Sequence, residues 1–315
     1  MYLQYNGSAS VPALYTAWRR FSMCLVLTVM TIGAASATDG SGSVYPLGVE
    51  TVMPGRMPAP GGTLLAEFSD FYQANELVGS NGHPLLPGFH LRVGAVAGKV
   101  AHNWGVHVLG GTLVNSAALP LLYVHLDAPF GKGDKTGIGN PVLETAVAYA
   151  KGSLYWWYGF EAYTPGFSYN KNDLVNIGQH NFATAPAAAF SYLPRGGKSE
   201  LSSKFQYMTN YTNSATQYRS GSEFVWEYAA MQNLTKKLAI GGNGYLYKQM
   251  TNDTQNGLIY LDGNQGRNFA FGPELRYHFS HFAMILKYQK DFLVQNRPVG
   301  NSFWLEFGVP IGHHE

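Results

Sequence analysis

Charge is scarce in this chain of 315 residues: Asp, Glu, Lys and Arg make up 13% of it, against the roughly 25% usual for a soluble domain. Cysteine is nearly absent. The single one, Cys24, lies in an N-terminal stretch that reads as an export leader, which leaves neither disulfides nor thiolate ligands for the rest. Long apolar runs are lacking as well. Past residue 37 none reaches the ~20 residues a spanning helix needs, so an α-helical membrane protein is excluded. Neither charge sign dominates: 21 basic residues face 19 acidic ones, and loss of the leader's Arg19 and Arg20 brings the balance to zero. No basic excess points to nucleic acid.

The leader is residues 1–37. Arg19 and Arg20 precede an apolar run from Phe21 to Ala35, and Ala35-Ser36-Ala37 supplies a small-residue cleavage pattern. An uncleaved anchor is the alternative, disfavoured by the shortness of the run. Cleavage after Ala37 leaves 315 − 37 = 278 residues.

What the chain has instead is glycine, 37 residues of it, and 14% aromatics, arranged with a period of two. From Phe269, the residues Phe271, Leu275, Tyr277 and Phe279 alternate with Gly272, Glu274, Arg276 and His278. Phe282, Met284, Leu286, Tyr288 and Phe292 then alternate with Lys287, Gln289 and Asp291, with Lys290 interrupting the apolar face. Phe303, Leu305, Phe307 and Val309 alternate with Ser302, Trp304, Glu306 and Gly308. Leu154 to Tyr163 alternates too, but is aromatic on both faces. Further strands are expected roughly over 64–71, 89–100, 104–113, 121–130, 142–150, 183–192, 200–210, 218–231 and 238–249. Since bacterial barrels use even strand numbers, these about 13 segments imply about 12 strands.

The expected fold is therefore all-β, an antiparallel transmembrane β-barrel of about 12 strands over residues 62–311. Closure pairs every backbone amide and carbonyl, which hydrocarbon demands. A Pro/Gly-rich segment, 38–61, precedes the barrel and a tail, 312–315, follows. The stretch from Pro46 to Pro60 has two readings, a plug folded into the lumen or a disordered lead-in. A secreted soluble β-sandwich shares the alternation; aromatics at strand ends favour the barrel, because aromatic girdles mark bilayer interfaces.

Particular motifs carry a resemblance. They include Asn210-Tyr211-Thr212-Asn213 with Thr216, Tyr218 and Gly221; Gly244-Tyr245 with Tyr247, Gln249, Thr251 and Asp253; and Phe271-Gly272-Pro273-Glu274-Leu275. Leu286-Lys287-Tyr288-Gln289, Asn296-Arg297-Pro298 and Phe303-Trp304-Leu305 complete them. On these the chain resembles, from about Pro46 to Ile311, the transporter family of the MetA pathway of phenol degradation. It departs at Thr136-Gly137-Ile138-Gly139-Asn140, where Gly-Asp is usual, and at Thr164-Pro165-Gly166, where Pro-Thr-Gly is usual. The resemblance implies an outer-membrane barrel that moves hydrophobic or aromatic compounds.

No catalytic or cofactor constellation stands out. Gly131-Lys132-Gly133-Asp134-Lys135-Thr136 lacks the spacing of a phosphate loop and is read as a hairpin loop. Gly241-Gly242-Asn243-Gly244 reads as close backbone approach within a strand. His102 and His107 have opposite parity on one strand, and His313 and His314 read as a solvated tail, so no metal is assigned. The functional expectation is an outer-membrane channel or facilitator for small hydrophobic or aromatic compounds, with no enzymatic activity. Its rival is a structural or adhesive barrel without transport. The implied partners are outer-membrane lipid and the solute; oligomeric state is not legible. Lumen-lining candidates are Lys204, Gln249, Arg276, Lys287, Asp291 and Glu306, with Asn210, Asn213 and Tyr218 near a rim. About 12 strands imply a narrow, partly obstructed lumen.

Overall fold

A computed structural model describes residues 42–312; residues 1–41, which include the expected leader, and the residues from His313 to the end lie outside it. The chain forms the strands β1 (Thr63–Leu77), β2 (His90–Val108), β3 (Gly111–Ala128), β4 (Gly131–Ile138), β5 (Val142–Lys151), β6 (Leu154–Tyr163), β7 (Ala183–Tyr192) and β8 (Ser199–Asn210). Then come β9 (Tyr218–Arg219), β10 (Glu223–Asn233), β11 (Leu238–Gln249), β12 (Thr254–Gln255), β13 (Leu258–Ile259), β14 (Arg267–His278), β15 (Ala283–Gln295) and β16 (Pro298–Ile311).

Every pairing is antiparallel, and β1 pairs with both β2 and β16, which closes the sheet. The ring runs β1-β2-β3-β5-β6-β7-β8-β10-β11-β14-β15-β16, with β4 continuing the β5 position alongside the far half of β3. It is a closed barrel of 12 strands, so the soluble sandwich is excluded. The short β9, β12 and β13 form a separate small sheet in the loops.

Alternation sets the facing of each strand. Phe303 is 56% exposed on the outside and its neighbour Trp304 4% exposed on the inside. The doubly aromatic β6 resolves the same way: Tyr158 and Phe160 point out, while Trp157, Glu161 and Tyr163 are buried inside. Gly241 and Gly244 sit where a Cβ would come within 2.1 Å of the carbonyl oxygens of Ala230 and Ala270. No larger side chain fits between those strands. Short turns such as Leu109-Gly110 and Gly152-Ser153 gather at the end that holds both chain termini of the barrel, and long loops gather at the other. By the rule for such barrels, the short-turn end is periplasmic and the long-loop end extracellular.

Three expected elements differ. The segment 104–113 is no strand of its own; it straddles the tight turn between β2 and β3, where Leu109 and Gly110 both adopt positive φ. Gly131 to Thr136, expected as a hairpin loop, is the start of β4. Its glycines and charges suit an extension beyond the bilayer, where β3 needs a partner but neither face meets lipid. Tyr218 and Arg219 are also separate from β10, across a loop pinned at Gly221.

Candidate functional site

The lumen is occupied by the chain itself. Residues 42–61 run through it from the extracellular end, where Ser43 Oγ donates to Glu223 (2.5 Å), to the periplasmic end, where Asn103 donates to the Pro58 carbonyl (2.8 Å). Prolines keep this segment out of the sheet, so its peptide groups need side-chain partners. The barrel wall supplies them. Glu227 accepts from the amides of Gly48 (2.6 Å) and Glu50 (3.1 Å) and from the Tyr45 hydroxyl (2.9 Å). Glu200 accepts from the Met53 amide and Ser191 from the Gly55 amide. Lys287 donates to the carbonyls of Gly48 and Val49 at 2.8 and 3.0 Å, and Trp157 to that of Pro54 at 2.6 Å.

One side chain of this plug is held by charge. Glu50 lies between Lys99 and Lys204, 2.5 Å from each, and Lys204 also meets Glu161 at 2.6 Å while Lys99 approaches Glu144 at 3.6 Å. The oxygens of Glu50, Glu144 and Glu161 lie within 4.8 Å of one another. Two ammonium groups already pair with these three carboxylates, and the cluster is an ion-pair network clasping the plug to opposite walls.

The expected lumen residues all lie inside the barrel or at its extracellular mouth, and most are engaged. Arg276 pairs with Glu200 and Lys287 with Glu306, both at 2.5 Å. Asp291 accepts from Tyr245, Tyr72 and the Gly300 amide. Asn210 donates to Glu223 and Asn213 to Tyr169. Tyr218 and Gln249 meet on Asp253, which also accepts from the Gly221 amide and Asn264. Burial pushes the Asp253 carboxyl above the ordinary carboxylate range against the pull of these donors. The Tyr218 phenol is likewise raised, by burial and then by Asp253. This knot closes one side of the mouth.

Of the nine, Lys204 borders the inner cavity. A cavity of about 300 Å³ lies between the plug and the inner faces of β1, β2, β3 and β5. Val44, Pro46 and Val49 line it from the plug, Phe68, Val93, Ala97, Ala118, Leu122 and Val142 from the wall, and Ile177 from the loop above. Its volume is at the lower end of small-molecule sites. Its polar edge is the Glu50 network. Sequence reasoning missed Lys99, Glu144, Glu161 and Glu227 as a set, although strand parity placed each on the inner face; Glu50, off any strand, carried no such signal.

The barrel wall behind this cavity is interrupted. β3 pairs with β5 up to Ala118↔Val142 and with β4 from Leu121↔Ile138. In between, Pro120 and Pro141 bring no amide hydrogen, and the bond Gly139 N–H to Pro120 O (2.9 Å) bridges the gap. Asn140 turns away and binds the loop at Thr164 and Gln179. A shallow groove on the lipid side, lined by Gly98, Ala117, Leu119, Pro141 and Leu143, backs onto the same stretch.

Comparison with known proteins places this architecture. The sequence profile of the MetA-pathway of phenol degradation family matches residues 74–307. The chain belongs to that family. Among solved structures, the COG4313 outer membrane channel from Pseudomonas putida F1 superposes with a TM-score of 0.73 at 15% identity, over 82% of this chain and 100% of that one. The NanC porin (TM-score 0.44, 9% identity, 78% and 98% covered) and the CymD monoaromatic hydrocarbon channel (0.43, 10%, 90% and 96%) are more distant. No curated protein sequence matches the chain. The fold shared with that outer membrane channel is a closed antiparallel β-barrel.

Proposed function

We propose that this family member is an outer-membrane channel or facilitator for small hydrophobic or aromatic compounds, and that the apolar cavity beside the plug is where the solute passes. The observation that carries this reading is the contrast inside the barrel. Much of the inner wall is polar and engaged by the plug or by neighbouring strands, whereas the third formed by β1, β2, β3 and β5 presents alanine, valine, leucine and phenylalanine to an unfilled space. An apolar solute gains by entering such a space, while a sugar or ion leaves its hydration there without compensation. The interrupted ladder at Pro120 and Gly139 supports a sideways path between the cavity and the lipid, since few backbone bonds have to open there. Family membership favours aromatic substrates on the same grounds.

Ala97→Phe and Ala118→Phe fill the cavity without touching the plug's bonds. Proteoliposomes with either variant are expected to pass phenol-like solutes several-fold more slowly than the wild type, with sugar permeation unchanged. If wild-type proteoliposomes pass neither solute class faster than protein-free ones, the structural or adhesive barrel is the better reading.

A further inference from the structure

The outer wall carries three cations toward its extracellular end. On β11 and β14, Lys248 and Arg267 are direct cross-strand partners, both exposed on the outer face near the extracellular ends of their strands. Two like charges opposite each other destabilise a ladder unless an anion lies between them. Lys290 on β15 opposes Phe271 and is exposed on the same face, with its ammonium over the Phe292 ring at 5.8 Å. Among the described residues, none of the three has a carboxylate within 4.0 Å. Arg267 spends its Nε on the Leu293 carbonyl (3.0 Å), which holds its guanidinium at the rim.

Below these cations the wall is hollowed. Pro273 forms the floor of a groove on the lipid face whose sides are Phe71, Leu275, Leu286, Tyr288 and Phe303. Above the groove on the same face are Lys290, two positions up β15 from Tyr288, and Phe271, Phe269 and Arg267, successively up β14 from Pro273. Lys290 and Arg267 are separated by four residues along β14, about 13 Å at the usual strand rise.

We infer that this face is a binding site for a phosphorylated lipid of the outer leaflet, a lipid A type glycolipid. One of its phosphates sits between Lys248 and Arg267, the other near Lys290, and an acyl chain lies in the groove. The chemistry fits on three counts. Lys248 and Arg267 are at the extracellular rim, where such headgroups lie, with Lys290 further down the same face. Two separated charge centres match a disaccharide phosphorylated at both ends. The apolar groove lies below the cations on the same outer face, which a free anion would not need. Arg and Lys at a membrane surface draw anionic headgroups to the protein.

The test uses the full-length chain extracted from outer membranes. Native mass spectrometry is expected to show wild-type protein retaining bisphosphorylated lipid A, and added lipid A to raise its unfolding temperature in detergent. The triple variant Lys248→Gln, Arg267→Gln, Lys290→Gln is expected to bind it about a hundredfold more weakly, the product of three contacts each worth about fivefold. Lys151→Gln, at the periplasmic end, is the control and is expected to bind as the wild type. Should the triple variant fail to show heat-modifiable migration, the single variants Lys248→Gln and Lys290→Gln serve, each weakening binding about fivefold. Equal retention by the cation variants overturns the proposal. So does an equal stabilisation by inorganic phosphate, which would mark a simple anion site, or by dephosphorylated lipid A, which would mark the groove alone.

Discussion

At the scale of single residues, neighbours on one strand have opposite fates. Leu286 and Gln289 are three positions apart on β15, one 44% exposed to lipid and the other 1% exposed inside. Sequence alone makes Leu286→Arg costly and Gln289→Arg nearly neutral, since a lumen wall tolerates charge. The structure reverses the second expectation. Gln289 donates to the Gly48 carbonyl (3.2 Å) and to Asn243 (2.6 Å), and accepts from Trp304 Nε1 (3.1 Å). Lys287 is already on that face, so an arginine at 289 adds a second cation against the plug. Both substitutions are therefore expected to destabilise, Leu286→Arg by roughly 2–4 kcal/mol for a lipid-facing charge and Gln289→Arg by about 2 kcal/mol for overpacking. Urea titration of the folded barrel in vesicles compares them, and a neutral Gln289→Arg would contradict the packed lumen. Glu50→Gln tests the clasp. It removes the carboxylate that both Lys99 and Lys204 contact and with it the ion pairs from the plug to the wall, a loss of about 3 kcal/mol for a broken buried pair. Single-channel recordings are expected to show larger and noisier conductance; an unchanged trace would mean the plug is held without the ion pairs.

At the scale of elements, the plug and β4 are the two segments whose role only the fold reveals. Deleting residues 43–58 removes the plug's contacts with Glu200, Glu227 and Lys287 and opens the lumen. Sugar-driven liposome swelling is expected to rise several-fold, and equal rates would show that the plug does not limit permeation. β4 earns its place through the loop it carries. Lys135 pairs with Asp173 at 2.6 Å, and Gly133 packs on Val175, in the loop 164–182 that contributes Ile177, Gly178 and Gln179 to the cavity. A segment that looks like a turn by composition therefore supports the roof of the candidate site. The exposed pair Lys132–Asp127 at the tip of the same hairpin contributes little by comparison.

At the scale of the whole molecule, closure explains both the alternation and the scarcity of charge. Twelve strands with no free edge leave no unpaired ladder for hydrocarbon to meet, apart from the short break at Pro120. Such a barrel is expected to migrate faster on gels before boiling than after, with or without reductant, because no cysteine follows Cys24. A reductant-dependent shift would contradict that. Many of the charges the chain keeps are inside, where Glu50, Lys99, Lys204, Glu227 and Lys287 tie the plug to the wall. Others, such as Lys171, Lys236 and Lys237, are in loops and turns, and Lys248, Arg267 and Lys290 are on the outer face.

Much of the fold was legible because a two-residue period is a local property: each strand from Phe269 onward states in its own residues which face meets lipid. The parity that put Lys204, Arg276, Lys287, Asp291 and Glu306 on one face followed from the same rule. What those residues contact was not local. Whether Pro46 to Pro60 filled the lumen or trailed outside depended on Glu50 meeting Lys99 and Lys204, side chains 49 and 154 positions away in the chain. Only closure of the barrel brings opposite walls within reach of one carboxylate, and only with the plug in place does an apolar cavity remain beside it.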